Sequence, residues 1–209
     1  MTTKQKAGYY WYYYKWFYIL AAGAVILAIF IGITINEQMN REIVLHLTMV
    51  NANGYAMDQT DYFDRFLKAY GYSDRAELEI EGNLSVNLDG SDVQSANTLQ
   101  LLAANFISGD IDVFLSDPEL FKMESDKKAL LDLEDILTKE QLASISERLW
   151  YGTDPDTGKE VPVGIRIADL PIVTKEQLYA PRTEPVMGVA AQYSVEEQDI
   201  LNFIEYVLG

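Results

Sequence analysis

Twenty consecutive residues, Trp16 to Ile35 (WFYILAAGAVILAIFIGITI), carry no charge. A helix that crosses a hydrocarbon core needs about 20 apolar residues, so the stretch predicts a transmembrane helix over residues 16–36. Overlapping its start, YYWYYYKWFY (residues 9–18) packs nine aromatics and one lysine into ten positions. A soluble core would have to find a partner for each phenol hydroxyl and indole N–H in that block. At headgroup level the same rings meet hydrocarbon on one side and water on the other. Tyr9, Tyr10, Trp11, Tyr12, Tyr13, Tyr14, Lys15 and Trp16 are therefore read as a membrane-interface belt.

Lys4, Lys6 and Lys15 precede the end of that belt, no acid does, and Glu37 follows the span. By the positive-inside rule residues 1–15 are expected in the cytoplasm and residues 37–209 outside the cell membrane. The rival is a cleaved secretory signal, whose apolar region is about 7–15 residues long and ends at an A-x-A-like site. Here the span is longer and ITINEQMN follows it, so an uncleaved single-pass anchor is expected. The chain has no cysteine through which a lipid could be attached.

Residues 37–209 number 173, enough for one domain with its own core and too few for two large ones. Setting aside the three N-terminal lysines leaves 13 basic residues against all 32 acids, a formal charge of −19. Such a surface repels nucleic acid, whose phosphates are bound by Lys and Arg, and anionic lipid as a docking surface. With one histidine and no cysteine, thiol catalysis and zinc sites are nearly all excluded. His46 lies inside the apolar run IVLHLTMV and is expected to be a satisfied structural residue.

Periodicity along the chain alternates between strand and helix. IVLHLTMV (43–50) reads as a buried strand that ends in the loop signal NANG. Phe63, Phe66, Leu67 and Tyr70 then fall at helical spacing before Gly71. AELEIEGNLSVNL has the period of a strand wet on one face, with a hairpin possible at Gly82-Asn83. A helix follows with Ser91 as its expected N-cap, Val93, Ala96, Leu99, Ala103 and Phe106 as inner residues, and Gly109 as its stop. IDVFL is a second buried strand, and Asp117-Pro118-Glu119 has a capping carboxylate, proline and first-turn acid in the places a helix start favours. Thr138 and Gln141 form a capping-box pattern that opens a helix expected to run to about Trp150. Strand-like sequence follows in EVPVGIRI and EPVMGVAAQ. The last helix is expected to be capped by Ser194 with Glu197, its inner stripe being Ile200, Phe203, Ile204 and Val207.

The stretch LLAANFISGDIDVFLSDPELFKMESDKKALLDLEDIL (101–137) resembles the first lobe of the extracellular solute-binding proteins of ABC importers, which have the periplasmic-binding-protein type II fold. The resemblance rests on Gly109-Asp110, the strand Ile111 to Leu115, and Leu131-Asp132-Leu133; DPDTGKEVPVGIRIAD (154–169) and the closing helix are similar more loosely. It implies an α/β domain with a mixed sheet flanked by helices, truncated to about one lobe, since 37–209 is about half the length that two ordinary lobes need. The YYWYYYKW start is similar to that of small membrane-anchored proteins of Gram-positive anaerobes, which implies a source rather than an activity.

In that family, and in open α/β sheets generally, ligands bind at the carboxyl ends of strands. Carried onto this chain, the candidate ligand-binding residues are Asn51, Asn53 and Tyr55 after the first strand and Ser116 and Asp117 after IDVFL. Caps and turns would also account for those residue types. Asp154, Asp156 and Glu160 lie close together, but their spacing is not that of an EF-hand loop, and no metal or cofactor is expected. Neither G-x-S-x-G, H-E-x-x-H nor a P-loop occurs, so an enzyme is not expected. The leading expectation is a non-catalytic binding or assembly module whose exposed sheet end is covered by a protein partner. The alternative is a genuine receptor for a sugar, peptide or other polar solute, serving an importer or sensor, with a small second lobe built from residues near 152–190.

Overall fold

The computed structural model describes residues 3–89, 92–154 and 156–209, and divides the chain into two compact units, Met1–Arg41 and Glu42–Gly209. The first unit is one helix, α1 (Thr3–Met39), whose apolar stretch Tyr14–Thr34 is long enough to cross a membrane by length and composition. Trp11, Tyr12, Tyr14 and Trp16 are exposed on it, with the Lys15 ammonium 5.5 Å from the Tyr12 ring centre. The side chains of Tyr9, Tyr10 and Tyr13, like the expected cap Ser91, lie outside the described residues.

The second unit is built on β1 (Glu42–Val50), a nine-residue strand with an apolar core run. Two short helices, α2 (Gly54–Gln59) and α3 (Tyr62–Ala69), carry the chain over one face to β2 (Ala76–Leu84), which pairs parallel with β1. The long helix α4 (Val93–Ser108) then leads to β3 (Val113–Ser116), parallel to β1 on its other side. After α5 (Pro118–Asp126) and α6 (Lys139–Ser144), the strands β4 (Leu149–Thr153), β5 (Glu160–Arg166) and β6 (Val186–Val189) complete a six-stranded mixed sheet, and α8 (Glu197–Leu208) closes the chain. The one-turn helix α7 (Pro171–Thr174) lies between β5 and β6. The strand order is β2-β1-β3-β6-β5-β4. This is the mixed α/β class that the alternation of patterns predicts.

Successive strand residues point to opposite faces, and each face is covered by helices. Val113 and Leu115 of β3 and Met187 and Val189 of β6 join the cluster that holds Phe63, Phe66, Ile200, Phe203 and Val207 of α3 and α8. Phe114 and Val186 face the other way, with Leu102, Phe106 and Phe121 of α4 and α5. Phe66 meets Phe203 edge to face at 5.3 Å, and Phe106 meets Phe114 similarly at 5.2 Å. Where α3 ends, Gly71 (φ 72°) takes the left-handed conformation, with Tyr72 N–H bonded to the Leu67 carbonyl and Gly71 N–H to that of Lys68. That is the Schellman pattern.

Four sequence expectations change. No hairpin forms at Gly82-Asn83: β2 runs on parallel to β1, with a one-residue register shift between the Thr48–Glu81 and Val50–Leu84 pairs, and the end of the Met57 side chain of α2 lies over Gly82, 2.0 Å from where a Cβ would stand. The inner stripe of α4 is Ser95, Thr98, Leu102 and Phe106, while Val93 is 75% exposed. Its cap is Asp92, which accepts from Ser95 N–H and from the Ser95 hydroxyl; satisfying that hydroxyl lets a polar residue turn inward in place of Val93. The helix opened by the Thr138–Gln141 capping box stops at Ser144, and Trp150 belongs to β4, whose pairing with β5 overrides helical continuation. Residues near 152–190 form no second lobe, because β4, β5 and β6 extend the same sheet.

Phe121 of α5 lies over two glycines of neighbouring strands. A Cβ on Gly164 would stand 2.5 Å from its Cζ, and one on Gly188 would stand 2.8 Å from it and 2.9 Å from the Val163 carbonyl oxygen. Overfilling such a site costs about 1–3 kcal/mol. Gly188→Ala is expected to lower the unfolding free energy by that much, read as a lower urea midpoint at unchanged slope, and pairing it with Phe121→Leu should recover part of the loss.

Candidate functional site

β1 and β3 are adjacent and parallel, and their crossovers leave in opposite directions, β1 to β2 and β3 to the far half of the sheet. Beyond the carboxyl ends of two such strands an open sheet has a natural crevice. Asn51 follows β1 there and Asp117 follows β3. Asn51 takes φ 58°, a conformation asparagine tolerates better than most residues, and every polar atom of its amide is engaged. Its Nδ2 donates to the Val86 carbonyl at 2.9 Å and to Asp117 Oδ2 at 2.8 Å, and its Oδ1 accepts from Val86 N–H at 2.9 Å. Asp117 Oδ1 meanwhile accepts from the N–H groups of Glu119 and Leu120 as the N-cap of α5.

The five candidate residues separate into distinct roles. Asn51 and Asp117 are brought into direct contact. Asn53 caps α2, accepting from Ala56 N–H, and its Nδ2 donates to the Gln177 carbonyl at 3.3 Å. Ser116 is fully buried, its hydroxyl donating to the Asp117 carbonyl. Tyr55 is 78% exposed and lines none of the cavity at the strand ends.

That cavity, of about 610 Å³, opens beside Asn51, Ala52 and Asn53, and its far wall is the connection between β5 and β6. This connection docks through Asn53 N–H, which donates to the Leu178 carbonyl at 2.8 Å. Three of its contributors are ones the sequence reading did not single out: Gln177, Tyr179 and Arg182. Gln177 (φ 56°) and Arg182 (φ 88°) join Asn51 in the left-handed region, so three of the four non-glycine residues with positive φ among the described residues line one cavity. Unfavourable backbone geometry concentrated in this way is a mark of functional sites. Tyr179 is buried, and its hydroxyl has no hydrogen-bond partner among the described residues. Burial, with the nearby Asp117 carboxylate, holds that phenol far above its ordinary range and so keeps it neutral. The signal available in the sequence was length: residues 167–185 are far more than the 2–5 residues that join antiparallel neighbours in a hairpin.

A second recess of about 770 Å³ shares Ala168 with the first and includes Arg148, Arg166, Asp169 and Glu184. Its charges are largely matched. Arg148 grips Asp169 through both terminal nitrogens, which holds that carboxyl below the usual range. Arg166 donates to the Leu149 carbonyl and lies 5.2 Å from the Trp150 ring centre.

Two other groupings are structural. His46 Nδ1 contacts Asp112 Oδ2 at 2.8 Å and the Ser194 hydroxyl at 3.3 Å, so serine and the hydrogen-bonded carboxylate share one ring nitrogen, while the exposed Glu79 carboxylate stands 3.6 Å from Nε2, outside hydrogen-bond distance. A nucleophile relay needs them on opposite nitrogens. Here the buried Asp112 carboxylate collects the N–H groups of His46 and Ser194, both at 2.7 Å. Ser194 is therefore committed to Asp112, and the expected capping box with Glu197 does not form; α8 begins after Glu196 without a side-chain cap. In the turn between β4 and β5, Asp154 accepts from the Thr157 hydroxyl and Asp156 N–H and is held below the usual carboxylate range, Thr157 being the main cause. Lys128 pairs with both Asp154 and Asp156, and no group of three metal-binding side chains occurs among the described residues. Pro155, part of the expected turn, lies outside the described residues.

No protein-family model matches the chain, and no curated protein matches it. Among solved structures, an ABC substrate-binding protein from Listeria monocytogenes in complex with cycloalternan is similar over 59% of this chain, with 16% identity and a TM-score of 0.33. The similarity spans 28% of that protein's length.

The amide of Asn51 is expected to set the stability of this strand end. Asn51→Ala loses its hydrogen bonds, at about 1 kcal/mol each, and places alanine in a left-handed conformation that costs about 1–2 kcal/mol more. Asn51→Gly should lose the first contribution and not the second, so its urea midpoint is expected between those of Asn51→Ala and the unaltered chain.

Proposed function

We propose that the chain is a single-pass membrane protein whose domain of residues 37–209 lies outside the cell membrane and captures a polar solute, without chemistry, in the cavity beside the carboxyl end of β1. The observation that carries this reading is the cavity itself: it lies beside the carboxyl end of β1, and its rim carries three left-handed residues, Asn51 together with Gln177 and Arg182 of the β5–β6 connection. A volume of about 610 Å³ falls within the range of small-molecule sites, about 300–1,000 Å³. The uncharged aromatic-flanked span supports the anchor, and its lysine asymmetry supports the orientation. The resemblance of residues 101–137 to solute-binding proteins points the same way. A second reading, a protein partner seated over this edge, is favoured by one observation: all six strands belong to one sheet, so the described residues form no second lobe over the cavity.

Melting of the full chain in a polyoxyethylene detergent, against sugars, amino acids, oligopeptides, carboxylates and phosphate esters, tests the first reading. A captured solute at a hundred times its Kd adds about 2.7 kcal/mol, or roughly 5–11 °C for a chain of this size. One class is expected to give such a shift, and a flat response to every class sinks the solute reading in favour of the partner.

Because the chain has no cysteine, orientation can be read from single substitutions. Thr157→Cys is expected to react with a membrane-impermeant maleimide in intact cells and Gln5→Cys only after permeabilisation. The reverse pattern rejects the orientation.

A further inference from the structure

The cavity beside Asn51 is short of acid in a protein rich in it. Asp and Glu number 32 against 16 Lys and Arg, and the adjoining recess is lined by Glu147, Asp169 and Glu184. The described residues that line the Asn51 cavity include no carboxylate and one cation, Arg182. Arg65, Arg148 and Arg166 are all engaged, with Glu176 and Asp61, with Asp169, and with the Leu149 carbonyl. Arg182 is exposed and forms no ion pair among the described residues.

The nearest acids outside the lining are already matched. Glu176, next to Gln177 in the chain, accepts from the Thr60 hydroxyl and pairs with Arg65 Nη2. Asp117 accepts from Glu119 N–H, Leu120 N–H and the Asn51 amide. The Asn51 and Asn53 amide nitrogens are bound to protein acceptors. What remains toward a ligand is the exposed Arg182 guanidinium, with the Gln177 and Thr183 side chains, which have no hydrogen-bond partner among the described residues; the partnerless Tyr179 hydroxyl is sealed from the cavity.

We infer that the cavity takes a small solute bearing an anionic oxygen group, a carboxylate or phosphoryl, with Arg182 as its countercharge. A guanidinium meets such groups through two parallel N–H bonds, where a neutral solute would leave its charge unanswered. The inference rests on the solute-binding reading and narrows it to a chemical class.

Matched pairs separate the two: glucose 6-phosphate against glucose, and succinate against butane-1,4-diol, titrated into the full chain in polyoxyethylene detergent at constant ionic strength. The anionic member of at least one pair is expected to bind about tenfold or more tightly than its neutral counterpart. Arg182→Gln should abolish that preference, and Arg182→Lys should restore part of it. A neutral member that binds as tightly as its anion overturns the inference and leaves solute binding standing. So does anion binding that Arg182→Gln does not change. Absence of binding by both anions overturns the inference, and only a flat response to the wider panel removes solute binding with it.

Discussion

The carboxyl end of β1 holds the outer half of the domain in register. One side chain, the Asn51 amide, bonds at once to the backbone leaving β2, at Val86, and to the cap of the helix leaving β3, at Asp117. Three elements that meet nowhere else in sequence are fixed at one point, where a parallel sheet would otherwise splay. The left-handed turn at Asn51 lets the chain leave the strand and reach α2, whose cap, Asn53, holds the β5–β6 connection in place. Cavity and core are thus built from the same bonds.

That arrangement explains what the sequence showed and what it withheld. The class of the domain was legible because its inner residues repeat with the periods of their elements: Leu45, Leu47 and Met49 on β1, and Ile200, Phe203, Ile204 and Val207 on α8, are buried where the patterns place them. Helix starts with local chemistry, Asp117-Pro118-Glu119 and Thr138 with Gln141, were legible for the same reason. Where a distant partner decides, local patterns misled. Ser194 has the sequence of a cap, but Asp112 claims it from 82 residues away. Gly82 has the sequence of a turn, but β1 keeps the strand paired past it, with a one-residue register shift. In α4 the apolar stripe is turned because Asp92 satisfies Ser95.

The candidate site was half legible. Asn51, Asn53 and Asp117 stand at strand ends, where a rule about open sheets could find them, although their side chains serve the protein first and the cavity second. Gln177, Tyr179 and Arg182 belong to a connection without periodicity, and only folding brings it against β1. Their distinguishing marks, positive φ and a hydroxyl without a partner, are properties of conformation rather than composition.

At the other side of the sheet, β2 is an edge strand, and Glu77, Glu79 and Glu81 alternate along it. An open ladder invites pairing with the edge of another copy. Anchored proteins diffuse in two dimensions and meet repeatedly in similar orientations, which makes such pairing a greater hazard than it is in free solution. Three carboxylates along the edge set like charge against like charge as two copies approach within the Debye length of about 8 Å at physiological salt. On the anchored arrangement proposed above, the acidic edge sets neighbouring copies apart and discourages their pairing strand to strand.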